Sequence, residues 1–191
     1  MAKARPILGL EVQAPTGNIA RIIARVRLEE MYQWGRYVDS PSHERELHNL
    51  RIGAKRLRYT LEIFEDVLPE ACKPVIQELE RIQEVLGALH DSDVMIALLQ
   101  YCLSSPERGT TYKEAFSEAK QQHEQFELPP ELLTDLLDPA AAPTAEQCRG
   151  LEQLLLEQQR IREERITTFR QHWHQLQACN FRSELLSILD T

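Results

Sequence analysis

Four side chains on one stretch carry the first indication of chemistry. In LHNLRIGAKRLRYTLEIF (47–64), His48, Arg51, Lys55 and Arg58 fall at i, i+3, i+7 and i+10. At about 100° of rotation per residue this spacing puts them on one face of a helix, and a rise of about 1.5 Å per residue makes the row about 15 Å long. Guanidinium, ammonium and imidazole groups in file are donors and positive charges, which suits them to hold a linear anion by forked and point contacts. The plainer alternative is a solvated charged face, because Glu44 and Glu62 lie on the same arc and can pair with it at helical spacing. His48 alone says little; its spacing from Arg51 is what gives it weight.

The helix that carries the row must be anchored on its other side. Leu50, Ala54, Leu57, Leu61 and Phe64 share a second face, with Leu47 at its border. Such an apolar stripe requires a core. The chain has 191 residues, enough for one domain with a core of its own. Its formal net charge is −8, which argues against a general nucleic-acid binder. Against that background Arg45, Arg51, Lys55, Arg56 and Arg58 stand with a single acid, Glu46, between 45 and 58, and Arg160, Arg162, Arg165 and Arg170 form a second basic cluster. Positive patches on an acidic chain indicate a focused anion site. Arg162, Arg165 and His172 lie along one side of the last helix, either as an opposite wall or as an ordinary exposed face. Arg21 and Arg25 are weaker candidates.

The remaining elements read as helices. Residues 1–15 carry two prolines and no period, and are expected to be a loose arm. A helix is expected from Asn18 to Val38 with Ile19, Ile22, Ile23, Val26 and Trp34 as its apolar stripe. Ser40 and Pro41 suit a cap and first turn for the helix that follows, which should run to Leu68 before Pro69 stops it. A third helix is expected from Pro74 to Leu103, with Val75, Leu79, Ile82, Leu86, Leu89 and Ile96 inward. That leaves Asp93 in line with the core face, where a carboxylate needs a basic partner from a neighbouring helix. Gly87 costs roughly 1 kcal/mol relative to alanine there and suggests close helix approach. Residues 105–144 read as a helical insertion, with short pieces at 112–126 and 131–137 and a DPAAAP linker. Thr144 to Gln147 forms a capping box for a last long helix reaching Asn180, with Leu151, Leu154, Leu155, Ile161, Phe169, Trp173 and Leu176 on its core side. Phe181–Leu189 adds a short helix. The expected fold is all-α: 16–191 as an antiparallel up-and-down four-helix bundle with the insertion between the third and last long helices.

The four cysteines, Cys72, Cys102, Cys148 and Cys179, are spread without a CxxC pair, so free thiols are expected rather than a disulfide frame or zinc site. No apolar run approaches membrane-spanning length, and the N-terminus lacks a signal-peptide core. A cytoplasmic protein is expected.

The stretch ELHNLRIGAKRLRYTLEIF, followed by LGALHDSDV (86–94), resembles the CHAD domains, the conserved-histidine α-helical domains. The basic half of the family pattern falls on His48, Arg51, Lys55, Arg56 and Arg58, and the second half on Leu86, Gly87, Asp91, Asp93 and Val94. The match is dense from 44 to 100 and architectural elsewhere. It implies a non-catalytic module that binds inorganic polyphosphate, or a similar linear polyanion, through His48, Arg51, Lys55, Arg56 and Arg58; Arg162 and Arg165, outside the matched motif, are the candidates for a facing wall. Asp91 or Asp93 would orient the basic row. No cofactor and no metal are implied, and an association with polyphosphate granules is. His90 departs from the pattern by standing where family members often carry arginine. The chain also has one motif copy where CHAD domains usually have two pseudo-symmetric units, so a homodimer rebuilding the doubled bundle is expected.

Two other readings compete. One is a helical protein-interaction scaffold whose anion site has decayed. The other is a metal-dependent phosphohydrolase, because His90-Asp91 resembles the dyad of HD-type enzymes, with His43 or His48 and Asp135 or Asp138 as further ligands.

Overall fold

A computed structural model of the chain describes residues 4–11, 13–40, 44–104 and 145–190. The described residues form five α-helices and a 3-10 turn, without strands: α1 Thr16–Gly35, α2 Glu44–Ile63, the turn Glu65–Val67, α3 Cys72–Ser104, α4 Ala145–Ala178 and α5 Phe181–Asp190. The expected insertion at 105–144, Pro41 and the capping Thr144 lie outside the described residues. None of the described helices is long and apolar enough to cross a membrane. The chain divides into two compact units. One joins Ala2–His90 to Glu164–Thr191, and the other is Asp91–Glu163. The divisions fall inside α3 and α4 rather than at linkers.

In the first unit α2 buries Leu47, Leu50, Ala54, Leu57 and Leu61, the stripe its period predicts, with Phe64 packed against it. Its end differs from expectation. Pro69 forces Leu68 into an extended conformation (φ −99, ψ 155), and the chain tightens into Glu65–Val67 before reaching it, so the α-helix stops at Ile63.

The inward face of α1 requires a larger correction. Ala20, Ala24, Leu28, Met31 and Gly35 are buried, while Ile22 is exposed and Ile19, Ile23, Val26 and Trp34 are half-buried. The buried face mixes small residues with the large side chains of Leu28 and Met31. A Cβ on Gly53 of α2 would stand 2.9 Å from the Met31 Cα, so α1 and α2 meet at backbone distance there. Beside that contact sits Glu30, only 3% exposed, bonded to Arg27 at 2.7 Å and to Arg56 of α2. The end of α1 is covered by Trp173 of α4, whose Cζ2 would lie 2.2 Å from a Cβ on Gly35. Arg170 Nε donates to the Val38 carbonyl at 3.0 Å, binding the turn after α1 to α4.

Asn180 takes a left-handed φ of 57°, which ends α4 at Ala178 and lets α5 fold back. Phe181, Leu185 and Leu189 are buried one turn apart, and α5 is fastened to α1 by Arg182–Glu29 at 2.5 Å and by Arg25 to the Leu189 carbonyl at 3.1 Å. The N-terminal segment is non-helical, but Arg5 donates to Gln33 at 2.6 Å and its carbonyl accepts from Arg27 at 3.1 Å, so it lies along α1.

In the second unit α3 buries Ser92 and Leu99, with Ile96 half-buried. Leu151, Leu155 and Ile161 of α4 are half-buried. Leu154, expected inward, is 44% exposed, because it stands about 100° around the helix from Leu155. Cys72, Cys102, Cys148 and Cys179 are free thiols.

Candidate anion-binding site

The basic row of α2 lies in the first unit and is not uniform along its length. At its start, the His48 ring is half-buried against the His90 ring of α3, with centroids 5.2 Å apart and a tilt of 52°. One turn on, the half-buried Arg51 lies over Gly87: a Cβ on that glycine would stand 3.6 Å from Arg51 Nε. Gly87 therefore leaves room for a cation, where the sequence suggested room for a helix backbone. Arg51 Nε is buried without a hydrogen bond, and no carboxylate among the described residues pairs with Arg51.

Lys55 is exposed, with its ammonium 5.5 Å from the Tyr59 ring centroid. Arg58 stacks on the same ring at 5.2 Å, and its guanidinium also meets Glu80 of α3 at 3.2 Å and Glu62 at 3.5 Å. The far end of the row is thus already matched with acids. Arg56, a binding residue by the family resemblance, instead reaches across to the buried Glu30 of α1.

The last helix contributes unequally. Arg165 Nη1 donates to the Ala88 carbonyl at 2.9 Å, within the same α3 turn that Arg51 and His48 approach. His172 bonds Glu78 at 2.6 Å, two turns or more toward the start of α3. In the other unit, Arg162 is ion-paired with Asp93, both side chains mostly buried, and Asp91 is exposed.

The result is a concentration of charge on one turn. Gly87–His90 of α3 receives Arg51 and His48 from α2 and Arg165 from α4, and presents His90 itself. Two guanidinium groups and two imidazoles meet there. Long cationic side chains held half-buried by packing are pre-oriented, so an anion bound to them meets less loss of rotamer freedom. The features that sequence reasoning did not find are those set by helix register. Glu30 carries no motif, and its only sequence signal is its place beside the buried line Ala20, Ala24, Leu28 and Met31. That Arg165 would meet Ala88 depends on how α4 lies against α3.

Among the described residues no three histidine, cysteine, aspartate or glutamate side chains are grouped as metal ligands would be. His43, Asp135 and Asp138 lie outside the described residues.

A sequence model of the CHAD domain matches residues 2–100. No curated protein and no solved structure matches the chain.

Proposed function

The chain belongs to the CHAD domain family, and on that premise we propose that it is a non-catalytic module that binds inorganic polyphosphate or a closely similar linear polyanion. The observation that carries this reading is the meeting of Arg51, Arg165, His48 and His90 on the Gly87–His90 turn, with no acid partner on Arg51 among the described residues. Lys55 extends the site along α2. Arg58, matched by Glu62 and Glu80, gives a chain less. Arg56 serves the α1–α2 contact, and the proposal does not draw on Arg162, which Asp93 holds.

A polyphosphate chain offers one charge per phosphate and no base or sugar edge, so a row of forks and point charges is sufficient recognition. Two finer points belong to the same reading. The helices assemble as an up-and-down bundle, and two chains pair to supply the second unit that one motif copy leaves out. A cytoplasmic location, at polyphosphate granules, fits this role. The test is retention of long-chain polyphosphate by the full chain at low salt. Arg51→Glu with Lys55→Glu should abolish it, whereas equal retention by that variant would refute the site.

A further inference from the structure

The basic row on α2 changes sign at its far end, and residues of two helices make the change. We propose that Glu62 and Glu80 stop a bound polyanion at Lys55, by holding Arg58 and repelling the chain beyond it, so that they set how much of a long chain the site engages. The inference rests on the polyphosphate reading above and names the residues that limit that same site.

Arg51, Lys55, Arg58 and Glu62 follow one another every three or four residues along α2, so Glu62 stands on the same arc as the three cations. Lys55 is exposed, 5.5 Å from the Tyr59 ring centroid, and no carboxylate among the described residues pairs with it or with Arg51. Arg58 is different. Its Nη1 donates to Glu80 of α3 at 3.2 Å, and its Nε lies 3.5 Å from Glu62. The Arg58 side chain is 19% exposed, against 41% for Glu62 and 55% for Glu80, so an approaching phosphate meets the carboxylates before the guanidinium. Past Glu62 the surface stays acidic. Glu65, Asp66 and Glu70 are exposed, and Lys73 beside them is already bound to Glu70 at 3.0 Å and lies 3.8 Å from Glu65.

Ion pairs this exposed hold a fold together only weakly. Their larger effect is on a ligand, because like charges brought face to face are unfavourable and steer a partner away. Screening confines that repulsion to about 8 Å at physiological ionic strength. Arg51 stands about 10 Å up the helix axis from Arg58, at about 1.5 Å per residue, so the acids close the Arg58 end and leave Arg51 open.

The experiment titrates the full chain, wild type and Glu62→Gln/Glu80→Gln, with long-chain sodium polyphosphate and with sodium tripolyphosphate at several salt concentrations. The double variant should bind the long chain several-fold more tightly than wild type. Its log affinity should also fall more steeply with log salt, by about 0.7, as one further phosphate contact requires. Tripolyphosphate, which can sit on Arg51 and Lys55 without reaching Arg58, should gain less. Adding Arg58→Gln to the double variant should remove the extra slope. Glu184→Gln, a similar loss of charge at an exposed position of α5, should leave binding as in wild type. A double variant with wild-type affinity and slope for the long chain overturns the stop and leaves the polyphosphate reading standing. A gain that tripolyphosphate shares in full, or that persists without Arg58, overturns it equally. Failure of wild type and variant alike to bind at low salt overturns both. Circular dichroism of each variant separates a binding change from unfolding.

Discussion

Arg51 occupies the space that Gly87 leaves: a Cβ there would stand 3.6 Å from the guanidinium Nε, an ordinary contact distance. A methyl group therefore fits, and a larger side chain does not. Gly87→Ala should raise stability by up to about 1 kcal/mol through helix propensity and keep polyphosphate affinity. Gly87→Leu should displace Arg51 and weaken binding in a protein that remains helical. Thermal melts and a binding titration on both variants check this, and equal affinity in the leucine variant would contradict it.

Gly53 should respond in the opposite sense. Its missing Cβ would meet the Met31 Cα at 2.9 Å, and a backbone atom cannot move aside as a side chain can. Gly53→Ala should cost about 1–3 kcal/mol from overpacking despite the gain in helix propensity. Chemical denaturation measures it, and a stabilised variant would show that α1 and α2 do not meet so closely.

Arg56 stands beside Lys55 in sequence but its guanidinium goes to Glu30, which is 3% exposed. Glu30→Ala should therefore cost about 3–5 kcal/mol, because it leaves Arg27 and Arg56 without their buried counter-charge. Arg56→Gln should lower the melting temperature without weakening polyphosphate binding. A loss of affinity in Arg56→Gln with unchanged stability would return Arg56 to the binding residues.

Tyr32 provides a pH test independent of the ligand. Burial, with the Trp173 ring 5.4 Å away, pushes its phenol up to about 12, while the nearby Arg182 acts in the opposite direction. The folded pKa lies above the ordinary value near 10, so the fold favours the neutral phenol. That contribution is complete below about pH 10 and is lost as pH rises toward about 12, since the unfolded chain ionises first. Alkaline melts of wild type and Tyr32→Phe should diverge over that window; parallel curves would contradict the assignment.

The proposed pairing of two chains predicts a particle of twice the chain mass in light scattering after size exclusion. A monomer at micromolar concentration would refute it.

What could be read from the sequence was whatever depends on one helix alone. The face made by Leu50, Ala54, Leu57 and Leu61 follows from the 3.6-residue period, and so does the alignment of His48, Arg51, Lys55 and Arg58 on another side. The inward face of α1 was misread because hydrophobic size points to Ile22 and Val26, whereas the buried face is Ala20, Ala24, Leu28, Met31 and Gly35, with Gly53 of α2 against the Met31 backbone and Trp173 over Gly35. Arg56 sits in the same basic run as its neighbours, yet a rotation of about 100° per residue carries it to the α1 side. The partners of Arg165 and Arg162 depend on the register between α3 and α4, which no periodicity within either helix encodes.

The central claim is that Arg51 and its neighbours hold a linear polyanion by charge, and the salt dependence of polyphosphate binding tests it most directly. With three or four phosphates contacted, log affinity should fall with log salt at a slope of about −2 to −3, and Arg51→Gln should both weaken binding and reduce that slope by about 0.7. A flat salt dependence, or an Arg51→Gln line that overlays wild type, would contradict the account.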